Sequence, residues 1–514
     1  MTDSSMQNGK ADRGLHDFME TPYTFRYFFR QSPVLINHHV RSQGIAPPAL
    51  DDQFSYLDLG CGNGVSICTF AAALPHGKFH GIDWLPEHIG NARSLAAAGR
   101  LQNINFHECS FEESLLQDLP KFDYIAMHGV YSWISEAGRQ RVREVITRFL
   151  KPGGLVYVSY DAEPGQAARA PMRRLLRQTV ASRSGTPIER VEQAIRMLQE
   201  LQRRNIPLFS ESEEAANILK VLTSRDKAYL IHDYLSDHYS ALPFRRVAAE
   251  MADCNLEFCC NLFAGPLSER NKALSTLSGA LSGVDDPVSR EDMTSTLLNE
   301  RYRTDIYVHT DAGHLEANDN GDDFVFGSKS LLSDEKERSR LSAEARKVLE
   351  SASPGYSSLG NLQSTDDLSH IPPERITQII KALAGDEFLH PFARKVQQEP
   401  PQLSQHPVQI SDFNHEILKT LLLRNGICYL ASPVTGDGVA VDLITGLFLR
   451  NLIDGSDGNP VTAVDDQLKA TGRDWRRRGV AVKDPAERRN LLEADHHDFQ
   501  QNRLSRLTEL GIVI

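Results

Sequence analysis

Three alternating glycines end an apolar run near the N-terminus, and two acidic residues flank them. The run reads LDLGCGNG, in which Asp58 precedes the glycines Gly60, Gly62 and Gly64. A second run, FHGID, ends at Asp83, 19 residues after the last glycine. Glycine turns between a strand and a helix bring backbone amides close to a bound cofactor. The pattern therefore indicates a cofactor site, although a tight strand-to-helix turn could need the glycines alone.

The acidic residues indicate which cofactor fits this turn. A dinucleotide-binding turn reads G-x-G-x-x-G and receives a diphosphate, whereas here Val65 stands at the place of the third glycine. The negative charge of Asp58 opposes a diphosphate and suits a cation. S-adenosylmethionine (SAM) carries an ammonium and a sulfonium and no phosphate. Asp83 can accept both ribose hydroxyls, as in NAD enzymes. The sequence therefore predicts SAM as the cofactor.

Five aromatic or hydroxyl residues are further candidates for the cofactor site. Trp84 follows Asp83 directly, and Ser110 and Phe111 follow the third predicted strand, where an adenine would be bracketed. Phe111 could equally be a core residue. Tyr23 and Tyr27 are four residues apart and could share one helical face over the cofactor. Ordinary packing would explain that spacing equally well.

Short apolar runs alternate with segments of helical period over residues 54–160. The strand-like runs are FSYLDLG, KFHGID, NINFHE, FDYIAMH and GLVYVSY. Five strands alternating with helices predict a parallel, doubly wound sheet whose ligand lies beyond the strand C-terminal ends. Two later runs, NLEFCCNLF and RTDIYVHT, are predicted to complete this sheet. The predicted fold class is α/β, Rossmann-like, with a helical insertion and a smaller mixed α/β C-terminal domain.

The composition shifts along the chain predict four regions. Residues 1–50 form an N-terminal helical cap, 51–165 the SAM-binding domain completed by 250–312, 166–250 a helical insertion or regulatory segment, and 325–514 an accessory domain. An acidic, glycine-bearing loop at 311–325 marks a boundary. The Pro- and Gln-rich stretch QQEPPQLSQHPVQ predicts a linker.

Charge and cysteine usage argue against several classes of protein. The net charge of −12 disfavours a nucleic-acid partner, and the one dense basic stretch, RDWRRRG, is interpreted as a solvated face. Seven scattered cysteines without a C-x-x-C pair predict a reducing compartment and no metal site. The polar N-terminus and the lack of a long apolar run predict a cytoplasmic protein without stable membrane insertion.

Several motifs together resemble a known family. LDLGCGNG, FHGIDWLPEHI, FDYIAMHGVYSWI and KPGGLVYVSY are similar to the class I methyltransferase domain of bacterial proteins that carry a methyltransferase regulatory domain. The phrase HGVYSWI sets this group apart from generic methyltransferases. The group includes outer-membrane-protein lysine methyltransferases, so the resemblance implies SAM-dependent methyl transfer, in some members to protein lysines. This chain departs from the family pattern in SYDAEPGQ, near the expected acceptor pocket.

The candidate catalytic residues follow the fourth and fifth strands. His128, Tyr131 and Trp133 come after the fourth strand, where His128 is also a candidate for the cofactor site, and Tyr160 and Asp161 follow the fifth. We expect the three aromatic residues to shape an acceptor channel, and Asp161 or His128 to orient the acceptor or take its proton. The alternative is that Trp133 and Tyr160 are packing residues and His128 caps a strand end.

The most favoured function is therefore protein lysine N-methylation. The alternatives are methylation of a small metabolite or a saccharide hydroxyl, and a non-catalytic SAM-binding scaffold, since fold alone does not choose between them. The methyl acceptor is thus predicted to be a protein or a small molecule. The helical insertion could form a homodimer, although amphipathic helices more often pack on their own chain.

Overall fold

The computed structural model describes residues 24–50, 52–225, 227–236, 238–262, 273–314, 325–329, 341–352, 357–385, 388–392, 408–455, 458–471, 475–477, 480–482 and 484–514. Most of the predicted boundary loop, of the Pro- and Gln-rich linker and of the basic stretch lies outside these residues. No helix within the described residues is both long enough and apolar enough to cross a bilayer.

A seven-stranded sheet with the order β3-β2-β1-β4-β5-β7-β6 forms the centre of the fold. Its strands are β1 (Ser55–Leu59), β2 (Lys78–Asp83), β3 (Ile104–Glu108), β4 (Phe122–Met127), β5 (Leu150–Asp161), β6 (Leu256–Asn261) and β7 (Tyr302–His309). The first five strands are parallel, and β7 is antiparallel to both β5 and β6. The predicted Rossmann-like sheet and its completion by two later strands are confirmed.

Alternate residues of each strand enter two separate cores, as the two-residue period of a strand requires. Tyr56 and Tyr157 face one layer, and their neighbours Leu57 and Val158 face the other. The helices that precede or follow these strands are α1 (Pro33–Arg41), α2 (Val65–Ala73), α3 (Pro86–Ala98), α4 (Phe111–Ser114) and α5 (Glu136–Phe149). Helices α2 and α3 cover the first face, and α5 covers the second.

A group of helices follows β5 and builds a core of its own. Its members are α6 (Ala170–Ala181), α7 (Pro187–Arg203), α8 (Pro207–Ser210), α9 (Glu213–Ser224) and α10 (Lys227–Leu235). The predicted insertion reached residue 250, but its last helix, α11 (Phe244–Ala252), packs on the sheet instead. The apolar residues Val247 and Met251 of α11 fill the same core as Val158, which explains why this helix leaves the group.

The chain beyond residue 324 forms two parts. The first contains β8 (Val325–Gly327), α13 (Ala343–Ser351), β9 (Ser357–Ser358), α14 (Leu359–Ser364), α15 (Pro373–Gly385) and β10 (His390–Phe392). Helix α12 (Pro287–Leu297) is not part of it, because it lies earlier in the chain, between β6 and β7. The second contains α16 (Asp412–Thr420), α17 (Leu422–Asn425), β11 (Ile427–Ser432), β12 (Asp437–Asp442), α18 (Leu443–Ile453), α19 (Pro460–Ala470), β13 (Arg476–Arg477), β14 (Val480–Ala481), α20 (Pro485–Asp498) and α21 (Leu504–Glu509).

The second part is not a detached accessory unit. Strands β11 and β12 pair as an antiparallel hairpin, and α2 of the sheet domain packs directly on it. Leu430 and Val439 of the hairpin belong to the same apolar core as Phe70 of α2. The mixed α/β character predicted for this region is observed, and its core is continuous with one face of the central sheet.

A fully buried guanidinium links β7 to α12. Arg303 lies 2.8 Å from Glu291, 2.5 Å from Glu300 and 2.8 Å from Asp305, and its exposed fraction is 0%. It also lies over the ring of Phe244, 4.5 Å from the centroid. Charges buried in this way are tolerated only when they are paired.

We expect Arg303→Met to lower the free energy of unfolding by about 3–5 kcal/mol, because it leaves buried carboxylates without their cation. The matched control is Arg245→Met, since the Arg245–Asp292 pair is mostly exposed and should contribute less than about 1 kcal/mol. Urea unfolding of both variants checks this expectation. Equal losses in the two variants would contradict it.

Candidate active site

The glycine turn connects β1 to α2 in a conformation that favours glycine. Gly60, Gly62 and Gly64 have φ angles of +77°, +55° and +73°, in the left-handed region. A Cβ on Gly64 would lie 2.6 Å from the Cβ of Ala92 on α3, so this turn also allows the two helices to approach. A Cβ on Gly62 would meet no atom within 4 Å. The turn therefore leaves open space above its backbone.

The carboxylate of Asp83 holds this turn in place. One oxygen accepts the backbone amide of Gly62 at 3.0 Å. The other oxygen accepts the amide of Leu85 at 3.0 Å and lies 3.2 Å from Nδ1 of His88. Asp83 thus connects the glycine turn to the start of α3. Its predicted contact with ribose hydroxyls remains a prediction.

Asp58 is buried beside the same turn. It lines the cavity described below, and only 3% of its surface is exposed. Burial, assisted by the negative charge of Asp83, raises the pKa of Asp58 to about 7. A cation bound next to Asp58 would stabilise the ionised carboxylate and so lower its pKa again. The two carboxylates therefore favour a ligand with an ammonium or sulfonium group and disfavour a diphosphate.

A cavity of 540 Å³ extends from the glycine turn across the C-terminal ends of the strands. The cofactor end is lined by Asp58, the three glycines, Asp83, Trp84 and Phe111. The other end is lined by Trp133, Asp161, Gln166, Arg169 and Tyr302, and His128 lies between the two ends. This volume is in the range of cofactor and small-ligand sites. The structure thus brings together candidates as far apart in the sequence as Asp58 and Asp161.

The remaining cofactor candidates occupy different positions. Trp84 and Phe111 line the cavity, as noted. Ser110 is the N-cap of α4, and its hydroxyl accepts the amide of Glu113 in a capping box. The side chain of Ser110 therefore stabilises a helix start, and the lining residues do not include Ser110.

The predicted tyrosine pair does not cover the cofactor as one helical face. Tyr23 lies outside the described residues. Tyr27 lies outside any helix, and its hydroxyl donates to Asp437 of the C-terminal region. The prediction for Tyr27 is wrong because its hydroxyl is bound to Asp437 on β12, and Tyr27 is not among the residues that line the cavity.

His128 lies at the junction of the two ends of the cavity. Its Nδ1 lies 2.8 Å from the hydroxyl of Tyr157, and its Nε2 lies 3.3 Å from the hydroxyl of Tyr302. The ring of Phe28 stacks on the imidazole at a centroid distance of 4.0 Å. Burial, with a smaller effect of Arg30, lowers the pKa of His128 to about 3. The imidazole is therefore neutral and weakly basic at physiological pH.

Asp161 and Trp133 form the wall of the far end. The hydroxyl of Tyr239 donates to Oδ2 of Asp161 at 2.9 Å, and the rings of Tyr239 and Trp133 are 4.7 Å apart. The guanidinium of Arg173 lies 4.1 Å from the centroid of Tyr239. Burial raises the pKa of Asp161, whereas Tyr239 and the nearby cation Arg169 oppose that shift. This end of the cavity is aromatic and carries a carboxylate.

Two predicted channel residues are instead core residues. Tyr131 is fully buried, and its hydroxyl donates to Glu250 at 2.5 Å. Tyr160 is also fully buried, and its hydroxyl donates to Asp305 at 2.6 Å. Both rings pack in the core on the second face of the sheet. The channel prediction is therefore wrong for both, because their strand and turn positions direct them into that core.

Several lining residues are not predicted by the sequence. Phe28 comes from the N-terminal segment, Arg169 directly precedes α6, Asp233 lies in α10, and Tyr302 begins β7. Their contribution depends on the packing of separate elements, which no local spacing reveals. Gln166, which belongs to the unusual stretch SYDAEPGQ, does line the cavity. Among the described residues, no group of three or more His, Cys, Asp or Glu could hold a metal.

Comparisons with known proteins agree with this geometry. Residues 50–215 match the family described as methyltransferase domain, and residues 226–309 match a predicted methyltransferase regulatory domain. The protein is a SAM-dependent methyltransferase. The first match includes β1 to β5 with the glycine turn, and the second ends with β7.

The methyltransferase has relatives along nearly its whole length. It is 29% identical to protein sll1526 of Synechocystis over 504 residues, 96% of this chain and 98% of the other. It is 27% identical to protein RP789 of Rickettsia prowazekii over 325 residues, 62% of this chain and 57% of the other. The solved structure of PKMT2 from Rickettsia typhi in complex with AdoHcy has a TM-score of 0.67 at 19% identity, covering 96% of this chain and 100% of that chain. This structural likeness shows a shared fold.

We expect the affinity of the methyltransferase for SAM to rise as the pH increases through about 7. The ionised form of Asp58 attracts the cationic cofactor and the protonated form does not, so the dissociation constant should fall up to about eightfold between about pH 6 and pH 7.5. Calorimetric titration at several pH values measures this change. Asp58→Asn should weaken binding and flatten the pH dependence; an unchanged slope in that variant would contradict the assignment.

Proposed function

We propose that this methyltransferase transfers the methyl group of SAM to lysine side chains of proteins. The resemblance of HGVYSWI and its neighbouring motifs to a family that includes lysine methyltransferases supports this proposal. The observation that carries it is the far end of the cavity, where the aromatic residues Trp133 and Tyr302 and the carboxylate of Asp161 lie together. An aliphatic chain that ends in an amine is complementary to such a wall.

The acceptor amine must be neutral before it attacks. Its nitrogen lone pair forms the new N–C bond while the C–S bond of the sulfonium breaks, and one proton leaves the nitrogen. SAM supplies the activated methyl group. Aromatic surroundings disfavour the ammonium form of a lysine by desolvation. The chain therefore has to align the nitrogen, exclude water and accept or relay one proton.

Asp161 is the residue that suits the proton transfer. Its raised pKa makes the carboxylate a stronger base than an exposed aspartate, and the hydroxyl of Tyr239 fixes its orientation. His128 is a weaker base because burial lowers its pKa to about 3, and hydroxyl groups flank both of its ring nitrogens. We therefore assign His128 to positioning: it connects Phe28, Tyr157 and Tyr302 at the place where the cofactor and acceptor meet.

We expect Asp161→Asn to lower kcat about 100-fold or more, since general bases contribute roughly 10²–10⁴ in rate. The affinity for SAM should change little, because Asp161 lies at the end of the cavity away from the glycine turn. Steady-state kinetics and calorimetry measure the two effects separately. Asp292→Asn is the matched control, since this residue forms a surface ion pair with Arg245. Normal turnover in Asp161→Asn would remove it from the mechanism.

The acceptor class is tested by transfer of radiolabelled methyl groups into a cell lysate. Protein lysine methylation predicts label in the protein fraction that survives base treatment and that acid hydrolysis releases as methyl-lysine. Label confined to small solutes would replace the proposal with methylation of a metabolite or saccharide hydroxyl. Cofactor binding without any label would support a non-catalytic scaffold.

A further inference from the structure

The segment of residues 24–31, here called the strap, crosses the cofactor end of the cavity. We propose that the C-terminal β11–β12 hairpin positions this strap through Asp437 and thereby controls how tightly the cofactor is bound. Tyr27, Asp437 and Lys329 are then positioning residues that act through the strap. This inference concerns cofactor binding and does not depend on the identity of the methyl acceptor.

Residues 24–28 of the strap belong to no helix or strand, and alternate residues in this stretch lie on opposite sides. Thr24, Arg26 and Phe28 line the cavity. Phe25 and Tyr27 face the C-terminal region instead, as their contacts below describe. One segment therefore covers the cavity with one side and is attached to the hairpin with the other.

The main attachment is a buried polar cluster around Asp437. The hydroxyl of Tyr27 donates to Oδ1 of Asp437 and accepts the amide of Gly438 at 2.9 Å. Lys329 donates to Oδ2 of the same carboxylate at 2.6 Å. The side chain of Asp437 is only 3% exposed. Burial raises the pKa of Asp437, and the Lys329 ammonium next to it brings a positive charge to the cluster. Hydrogen bonds that involve a charged group are among the stronger ones, so this cluster fixes the position of Tyr27.

Close packing around the Tyr27 ring adds to these hydrogen bonds. The ring lies 4.5 Å from the ring of Tyr429 on β11 and 5.8 Å from that of Phe70 on α2. A Cβ on Gly438 would lie 2.7 Å from Cζ of Tyr27, so a side chain at this position would displace the ring. The hairpin is therefore shaped to receive the tyrosine.

A second attachment holds Phe25, which lies two positions before Tyr27. The guanidinium of Arg424 lies 4.2 Å from the centroid of the Phe25 ring. The side-chain amide of Asn425 donates to the carbonyl oxygen of Phe25 at 2.9 Å. Both partners belong to α17, which leads into β11.

The other side of the strap reaches the site directly. The amide of Phe28 donates to Oγ of Ser66, which lies in the first turn of α2 beside the glycine turn. The ring of Phe28 stacks on His128. None of the residues that line the cavity in the described part of the chain comes from beyond Tyr302. The C-terminal region therefore reaches the cavity through the strap and through its packing on α2, and the strap is the route that carries the Asp437 cluster.

Tyr27→Phe and Asp437→Asn test this proposal. Each weakens the polar cluster and leaves every lining side chain in place, so we expect the dissociation constant for SAM to rise about tenfold. Hydrogen exchange of the strap amides should become faster in the same variants. Calorimetry and exchange measured by mass spectrometry provide the two readouts.

The matched control is Asp442→Asn, the same substitution at the other end of β12. Asp442 caps α18 by accepting the amides of Ile444 and Thr445, and it makes no contact with the strap. This variant should lower the melting temperature without changing the affinity for SAM. An equal loss of affinity in Asp442→Asn would overturn the proposal, since general loosening would then explain the effect.

If Asp437→Asn does not fold, a second variant on the hairpin tests the same contact with Tyr27. Gly438→Ala places a methyl group against the Tyr27 ring and, less closely, against Thr69 of α2, and it should both weaken SAM binding about tenfold and speed exchange of the strap amides. If Tyr27→Phe and Gly438→Ala both bind SAM within about twofold of the original protein, the strap does not depend on the hairpin and the proposal is wrong. Because the readout is cofactor binding, this failure is distinct from failure of the lysine assignment.

Discussion

The burial of two carboxylates beside one glycine turn is the constraint on which the site depends. Asp58 and Asp83 repel each other, and burial adds to the energetic cost of ionising Asp58. Asp83 is stabilised by two backbone amides, one of them from the turn itself. Asp58 has the cavity next to it, so a cationic ligand there would stabilise its ionised form. The choice of a positively charged cofactor thus follows from electrostatics.

The sheet and the glycine turn could be predicted because their signals are local. Apolar runs such as FDYIAMH mark buried parallel strands, and a glycine at a positive φ marks a tight turn. Asp83 was identified because it ends a strand next to the turn. The parallel, doubly wound arrangement of the first five strands then followed from the right-handed return of each crossover.

The far end of the cavity, with Trp133 and Asp161, was predicted less well because position along the chain does not fix the direction of a side chain. Tyr131 and Tyr160 follow the expected strands, yet their hydroxyls reach Glu250 and Asp305 in the buried layer. Tyr302 enters the cavity through a strand that joins the sheet after more than 140 further residues. The contribution of such residues to the cavity can be predicted only when the packing of the distant elements is known.

The shared apolar core of α2 and the β11–β12 hairpin has a consequence for the evolution of the chain. Phe70, Leu430 and Val439 are packed together across the boundary between the sheet domain and the C-terminal region. A shorter protein ending after β7 would expose this apolar face of α2 to water and favour self-association. Gene fusion or exchange would therefore have to move both regions together, as one inherited unit.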